Sequence, residues 1–205
     1  MYKLTKLKYL YQDLEPYIDT HTIALHYNKH AMNYLDKLNS ILKMNNYNFK
    51  YSLNNLFFYL NDFKYEDRED ILFNLGGVLN HELYFKCLSK EKLLPNKLLK
   101  RELDLKYGSY NDFVNYFINE ALKLKGAGYT FLEITLNGDL LIINRSNQDN
   151  PIFHQHIPLF CIDMWEHSYY LNYKISKKEY LTNIFEVIDF SYANDIYSEF
   201  RNNYI

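Results

Sequence analysis

Seven histidines occur along the chain, and two of them, His26 and His30, are four residues apart, so on a helix both rings share one face. Asp163 and His167 have the same separation, and His81 falls within Asn80-His81-Glu82. Imidazoles combined with a carboxylate suit manganese, iron or zinc, and ligands drawn from several elements make a rigid cage. By spacing alone each pair is as compatible with core packing or a surface position. His21, His154 and His156 have no partner at such a spacing and are expected in loops or at the surface. Cys87 and Cys161 lack the CxxC spacing of a zinc or redox site and are expected as buried, reduced side chains. A zinc hydrolase built on His26 and His30 would need a general-base Glu beside the pair, and none stands there.

The elements that must position these groups follow from the apolar pattern. Ile23, Tyr27, Met32, Leu35, Leu38 and Leu42 recur at helical spacing, predicting one helix over residues 20–42 with its start capped at Asp19 or Thr20. A second helix is predicted over residues 67–88, with Gly76-Gly77 inside it. Each mid-helix Gly costs about 1 kcal/mol relative to Ala, so a close neighbour is expected there. Residues 43–55 are Asn-rich and read as a loop, and residues 89–97, with Pro95 and several lysines, as a linker. Beyond it a helix over 110–125 precedes two β-rich runs, 128–136 and 139–145, flanking Asn137-Gly138, a strong hairpin signal. A third strand over 159–163 and helical patterns from about residue 169 complete an α+β reading. It divides into an N-terminal antiparallel helical-hairpin domain, 1–92, and a C-terminal domain, 93–205, with a small three-stranded antiparallel sheet and surrounding helices.

The chain has 205 residues, 48% of them hydrophobic, enough for a substantial core, and Lys+Arg 23 against Asp+Glu 25 gives a net charge of -2. That balance offers no basic patch for nucleic acid. No apolar run approaches the roughly 18 to 20 residues of a membrane span. The start MYKLTKLKYLYQ has no apolar signal core, so the cytoplasm is the expected compartment.

Asp163-Met164-Trp165-Glu166-His167-Ser168-Tyr169-Tyr170 resembles the DxWEHxYY signature of the iron/manganese superoxide dismutases. Upstream, Leu14-Glu15-Pro16-Tyr17-Ile18, His26-Tyr27-Asn28-Lys29-His30 and Tyr34 resemble that family's first-helix block. Gly76-Gly77-Val78-Leu79-Asn80-His81 resembles its second-helix block. Gly126-Ala127-Gly128-Tyr129-Thr130-Phe131-Leu132 is similar to its GSGWxWL run, and Asn147-Gln148-Asp149-Asn150-Pro151 to its strand-loop segment. The blocks occur in family order over nearly the whole chain.

The resemblance implies one manganese or iron ion per subunit, held by His26, His81, Asp163 and His167 with a solvent molecule as fifth ligand, and superoxide as substrate. Zinc, without redox chemistry, is excluded from that role. It further implies that a glutamine amide tunes the bound solvent. Gly77 cannot supply one, whereas Gln148 stands in the loop position, the manganese-type arrangement. Tyr34 would link Gln148 to the substrate channel, and His30 would line its gateway. Glu166 and Tyr170 would reach across a two-fold homodimer to the partner's His167 and His30. Lys29 and Lys177 would raise the potential at the channel mouth. The departures are Phe85, Tyr129 and Phe131 where tryptophans are common beside the metal, and Cys161 where glycine is common. They leave both metals open, with Trp165, Tyr129 and Cys161 expected around the ligands. The alternative is a structural or interaction protein that kept this fold and lost the redox cycle.

Overall fold

A computed structural model describes residues 1–204. The first long helix begins where Asp19 Oδ1 accepts the Thr22 N–H at 2.7 Å, as a helix N-cap does. It runs through α1 (Thr20–Leu25), a π-helical turn (His26–Ala31) and α2 (Met32–Met44). The apolar spacing predicts a regular helix here; the wider turn is a departure that no Gly or Pro in HYNKHA announces. Such turns are commonly found at functional sites.

The predicted loop, 43–55, overlaps the end of α2 and most of α3 (Leu53–Leu56); short 3-10 turns at Phe57–Asp62 and Tyr65–Asp67 follow, then α4 (Arg68–Lys86). Leu35, Leu38 and Leu42 of α2 pack with Ile71, Leu75, Val78 and Leu79 of α4, closing the helical hairpin. Each such buried side chain contributes about 1.5–3 kcal/mol. Most of α4 from Asn74 to Phe85 is buried, because its other faces meet the C-terminal half.

Residues 89–97, the expected linker, are hydrogen-bonded to residues 187–190. Ser89 N and Leu93 N donate to Val187 O (2.9 Å) and Ile188 O (3.1 Å), while Asp189 N and Phe190 N return bonds to Cys87 O (2.8 Å) and Leu93 O (3.0 Å). These bonds are non-local, so local composition does not reveal them. Next comes α5 (Lys97–Tyr107), which the periodicity left unassigned because Leu99 and Leu103 are its only buried residues. Then α6 (Tyr110–Ala121) leads into the sheet.

The strands β1 (Gly128–Ile134), β2 (Leu140–Ser146) and β3 (Ile157–Asp163) form an antiparallel sheet in the order β2-β1-β3. Every residue of β1 is buried, as befits the central strand. The expected hairpin turns at Asn137-Gly138, where Gly138 has φ 88° and its N–H donates to Thr135 O at 2.9 Å. Beyond β3 the predicted helical tail is divided into α7 (Tyr170–Tyr173), α8 (Lys177–Ile184) and α9 (Ser191–Tyr204). The first break is at Lys174, which has left-handed φ 50°. No helix among the described residues is long and apolar enough to cross a membrane.

Candidate metal centre

His26 opens the π-helical turn, His81 lies near the end of α4, Asp163 ends β3, and His167 sits in the 3-10 turn Glu166–Ser168. One ligand atom from each lies within 4.8 Å of the others. His26 Nε2 is 3.1 Å from Asp163 Oδ2, and His167 Nε2 is 3.5 Å from that oxygen and 3.3 Å from His26 Nε2. Backbone groups aim these atoms inward. His81 Nδ1 bonds the Gly77 carbonyl one turn earlier at 2.6 Å, which makes Nδ1 the protonated nitrogen and turns a lone pair on Nε2 to the cluster. Asp163 Oδ1 accepts the Trp165 N–H at 2.7 Å, leaving Oδ2 to the same centre.

His81 Nε2 and Asp163 Oδ2 are buried with no hydrogen-bond partner, an arrangement that costs free energy unless a cation lies between them. Ligand atoms about 2.1 Å from one ion lie about 3 to 4 Å apart, and the separations of 3.1, 3.3 and 3.5 Å among His26, Asp163 and His167 fall in that range. His26 Nδ1 is likewise buried without a partner, and nothing in the structure accounts for it. Burial pushes His26 down to about 4 and His81 to about 3, so both rings are neutral and able to ligate. Burial alone would raise the Asp163 carboxyl, but the His167 and His26 rings beside it outweigh that and hold it below the usual range.

Gln148 Nε2 donates to Tyr34 OH at 3.0 Å, and both lie beside the cluster, the Tyr34 ring being 5.4 Å from that of His81. The glycine pair explains itself. A Cβ on Gly77 would stand 2.4 Å from the Tyr34 ring, and one on Gly76 would strike the Gln148 carbonyl. His30 stacks on His167 with centroids 4.0 Å apart, and Trp165 stacks on the same ring at 5.8 Å. Tyr129 is fully buried with its hydroxyl 3.4 Å from His81 Nδ1, and Phe85 packs 4.9 Å from the His26 ring. Phe131 is one layer further out, 6.0 Å from Tyr129. Cys161 and Cys87 are both buried and unpaired; the Cys161 thiol donates to Asn80 O at 3.8 Å, and burial raises its pKa well above the usual value. Glu166 and Tyr170 face outward, Lys177 lines the same surface hollow as Glu166 and His167, and Lys29 is exposed.

Residues 1–89 match the model of the iron/manganese superoxide dismutase alpha-hairpin domain, and residues 95–196 that of the C-terminal domain of the same enzymes. The chain belongs to the iron/manganese superoxide dismutase family. Relatives include superoxide dismutase (Mn/Fe) 2 of Staphylococcus aureus strains bovine RF122 / ET3-1 and Mu50 / ATCC 700699. Each is 32% identical over 196 residues, spanning 96% of this chain and 97% of the relative.

His154 is exposed and His156 lies in the connection before β3, and each has a partner at another spacing. His154 Nε2 is 2.9 Å from both Asp149 oxygens, and His156 Nδ1 is 2.9 Å from Glu133 Oε1. Their partners come from other elements or a tight turn, which spacing does not register. Sequence reading also missed Glu133, wholly buried on β1, and Arg145 on β2, which bonds it at 2.7 Å and reaches Asp149 Oδ2 at 3.5 Å. Asn80 and Asn150, both buried beside Gln148, were missed as well. Neither type signals chemistry by itself; the one usable signal is the adjacency of Asn80 to His81 and of Asn150 to the Gln148 turn.

Proposed function

We propose that the protein disproportionates superoxide, two superoxide ions and two protons giving dioxygen and hydrogen peroxide. His26, His81, Asp163 and His167 would hold the ion, and the convergence of their four ligand atoms within 4.8 Å carries the reading. A manganese or iron ion held there would supply the one-electron couple that both half-reactions of superoxide need. The chain supplies position, protons and dryness. Burial raises the pKa of the Tyr34 hydroxyl, so it remains protonated and can give its proton to a peroxide anion at the cluster. The buried rings of Phe85 and Tyr129 keep water from the inner wall.

Manganese is favoured, because the amide beside the site comes from Gln148 while Gly77 leaves no room for another. A homodimer is part of the proposal, with Glu166 and Tyr170 exposed beside His167 and available to a second copy. The buried, reduced thiols suit the cytoplasm. Metal analysis of purified protein, followed by demetallation and separate reloading with manganese and iron, tests the activity. The manganese form is expected to remove superoxide faster and to sediment at twice the chain mass. If neither reloaded form removes superoxide, the chain is a structural protein with this fold; if it sediments as a monomer, the dimer fails alone.

A further inference from the structure

Away from the metal centre, α4 presents a second face. Leu79, Glu82, Leu83 and Lys86 recur at i, i+3, i+4 and i+7, so they share one side of the helix, distinct from the side that carries His81 and Phe85. This second side lines a cavity of 590 Å³ whose walls come from both halves of the chain. Leu53 and Leu83 belong to the helical hairpin, while Ile157 at the start of β3 and Ile196 of α9 belong to the C-terminal part. Sites for small molecules span about 300–1,000 Å³, and the junction of two domains is a common place for them. Phe58 and Leu136 are part of the same lining and are 59% and 69% exposed, so the mouth holds apolar surface against water.

One end of this apolar hollow carries an unmatched positive charge. Lys86 Nζ stands 4.5 Å from the centre of the Tyr192 ring, and both residues line the cavity, which fixes the ammonium where α4 meets α9. Glu82, one turn earlier, is the carboxylate that an i,i+4 pairing would offer it. Both Glu82 oxygens are spent elsewhere, since the Thr5 N–H and the Thr5 hydroxyl donate to them at 2.5 Å each. Among the described residues Lys86 therefore has no carboxylate partner. Burial raises the pKa of Tyr192, so its hydroxyl stays protonated and is a second donor in the lining. His156, also in the lining, has its Nδ1 2.9 Å from Glu133 and leaves Nε2 without a partner. An aliphatic wall with a lone ammonium at one end suits a ligand with an apolar chain and an anionic head.

We propose that this cavity binds a medium-chain fatty carboxylate, its chain lying between Leu83, Ile157 and Ile196 and its head meeting Lys86. The site shares no residue with the metal cluster, so the inference stands whether or not the protein removes superoxide. Isothermal titration of the metal-loaded protein with octanoate and decanoate, both below micelle formation, is expected to show one saturable site. Each added methylene should tighten binding about fourfold, and the two together about fifteenfold. Decylamine, with the charge reversed, is expected to bind about tenfold more weakly than decanoate. Lys86→Met keeps the stem and removes the charge, so decanoate should weaken about tenfold while uncharged decanol binds as before. Ile196→Trp fills the hollow from a half-buried position on α9 and is expected to abolish binding of both. A crystal structure of the decanoate complex should place the carboxylate within hydrogen-bond reach of Lys86 Nζ. Equal affinity for decanoate and decylamine, decanoate binding unaltered by Lys86→Met, or a chain bound outside the cavity overturns the proposal. So does the absence of saturable binding, which would leave the apolar mouth to a protein segment or a second copy.

Discussion

Individual residues show where free energy is concentrated around the centre. Glu133 is a fully buried carboxylate held by Arg145 and His156, and the same guanidinium reaches Asp149 at the foot of the Gln148 turn. Removing one member of a buried pair strands the other, at about 3–5 kcal/mol, while replacing both with apolar residues is often neutral. Arg145→Met is therefore expected to lower thermal stability strongly, and Arg145→Met with Glu133→Leu to recover much of it. Equal melting temperatures for the two variants would show that the pair carries no such coupling. The four cluster residues were legible through the family resemblance of the blocks around them, DMWEHSYY above all; by spacing alone the imidazoles and the carboxylate did not stand apart from core or surface positions. Glu133 and Asn80 were not legible. A buried Glu or Asn declares itself only through partners far along the chain.

Among the elements, α4 does most to shape the centre. It carries His81, offers the Gly77 carbonyl to that ring, and brings two bare backbone positions against Tyr34 and the Gln148 turn. In an ordinary helix interior Gly→Ala gains about 1 kcal/mol. Gly77→Ala is expected to reverse that sign and destabilise by about 1–3 kcal/mol, since the new methyl overlaps the Tyr34 ring. It should also weaken the Tyr34–Gln148 contact and reduce superoxide removal; a gain in melting temperature would count against this packing. The sequence led to this pair because two glycines in a strong helix need a neighbour to account for them. It did not lead to the π-helical turn at His26–Ala31, since HYNKHA contains no Gly or Pro to mark one. Nor did it lead to α5, whose two buried leucines are too few to define a stripe.

At the scale of the whole molecule, acid should loosen the metal-free fold before it affects most carboxylates. His26 and His81 are held neutral in the folded chain, near 4 and 3, whereas in the unfolded chain they protonate near 6.5. Below pH 6.5 the unfolded state thus binds more protons. Stability contributed by these rings is full above that pH and is lost as the pH falls toward 4. Chemical denaturation of metal-free protein at pH 7.5 and pH 5 is expected to show a lower midpoint at pH 5, and replacing His81 by Gln to shrink the difference; an unchanged difference would mean other groups are responsible. The cluster joins His26 and His81, early in the polypeptide, to Asp163 and His167, late in it. A nascent chain on the ribosome therefore possesses only half a cage until β3 and the turn after it have been translated. An ion that needs all four side chains can then be held only by a nearly finished protein.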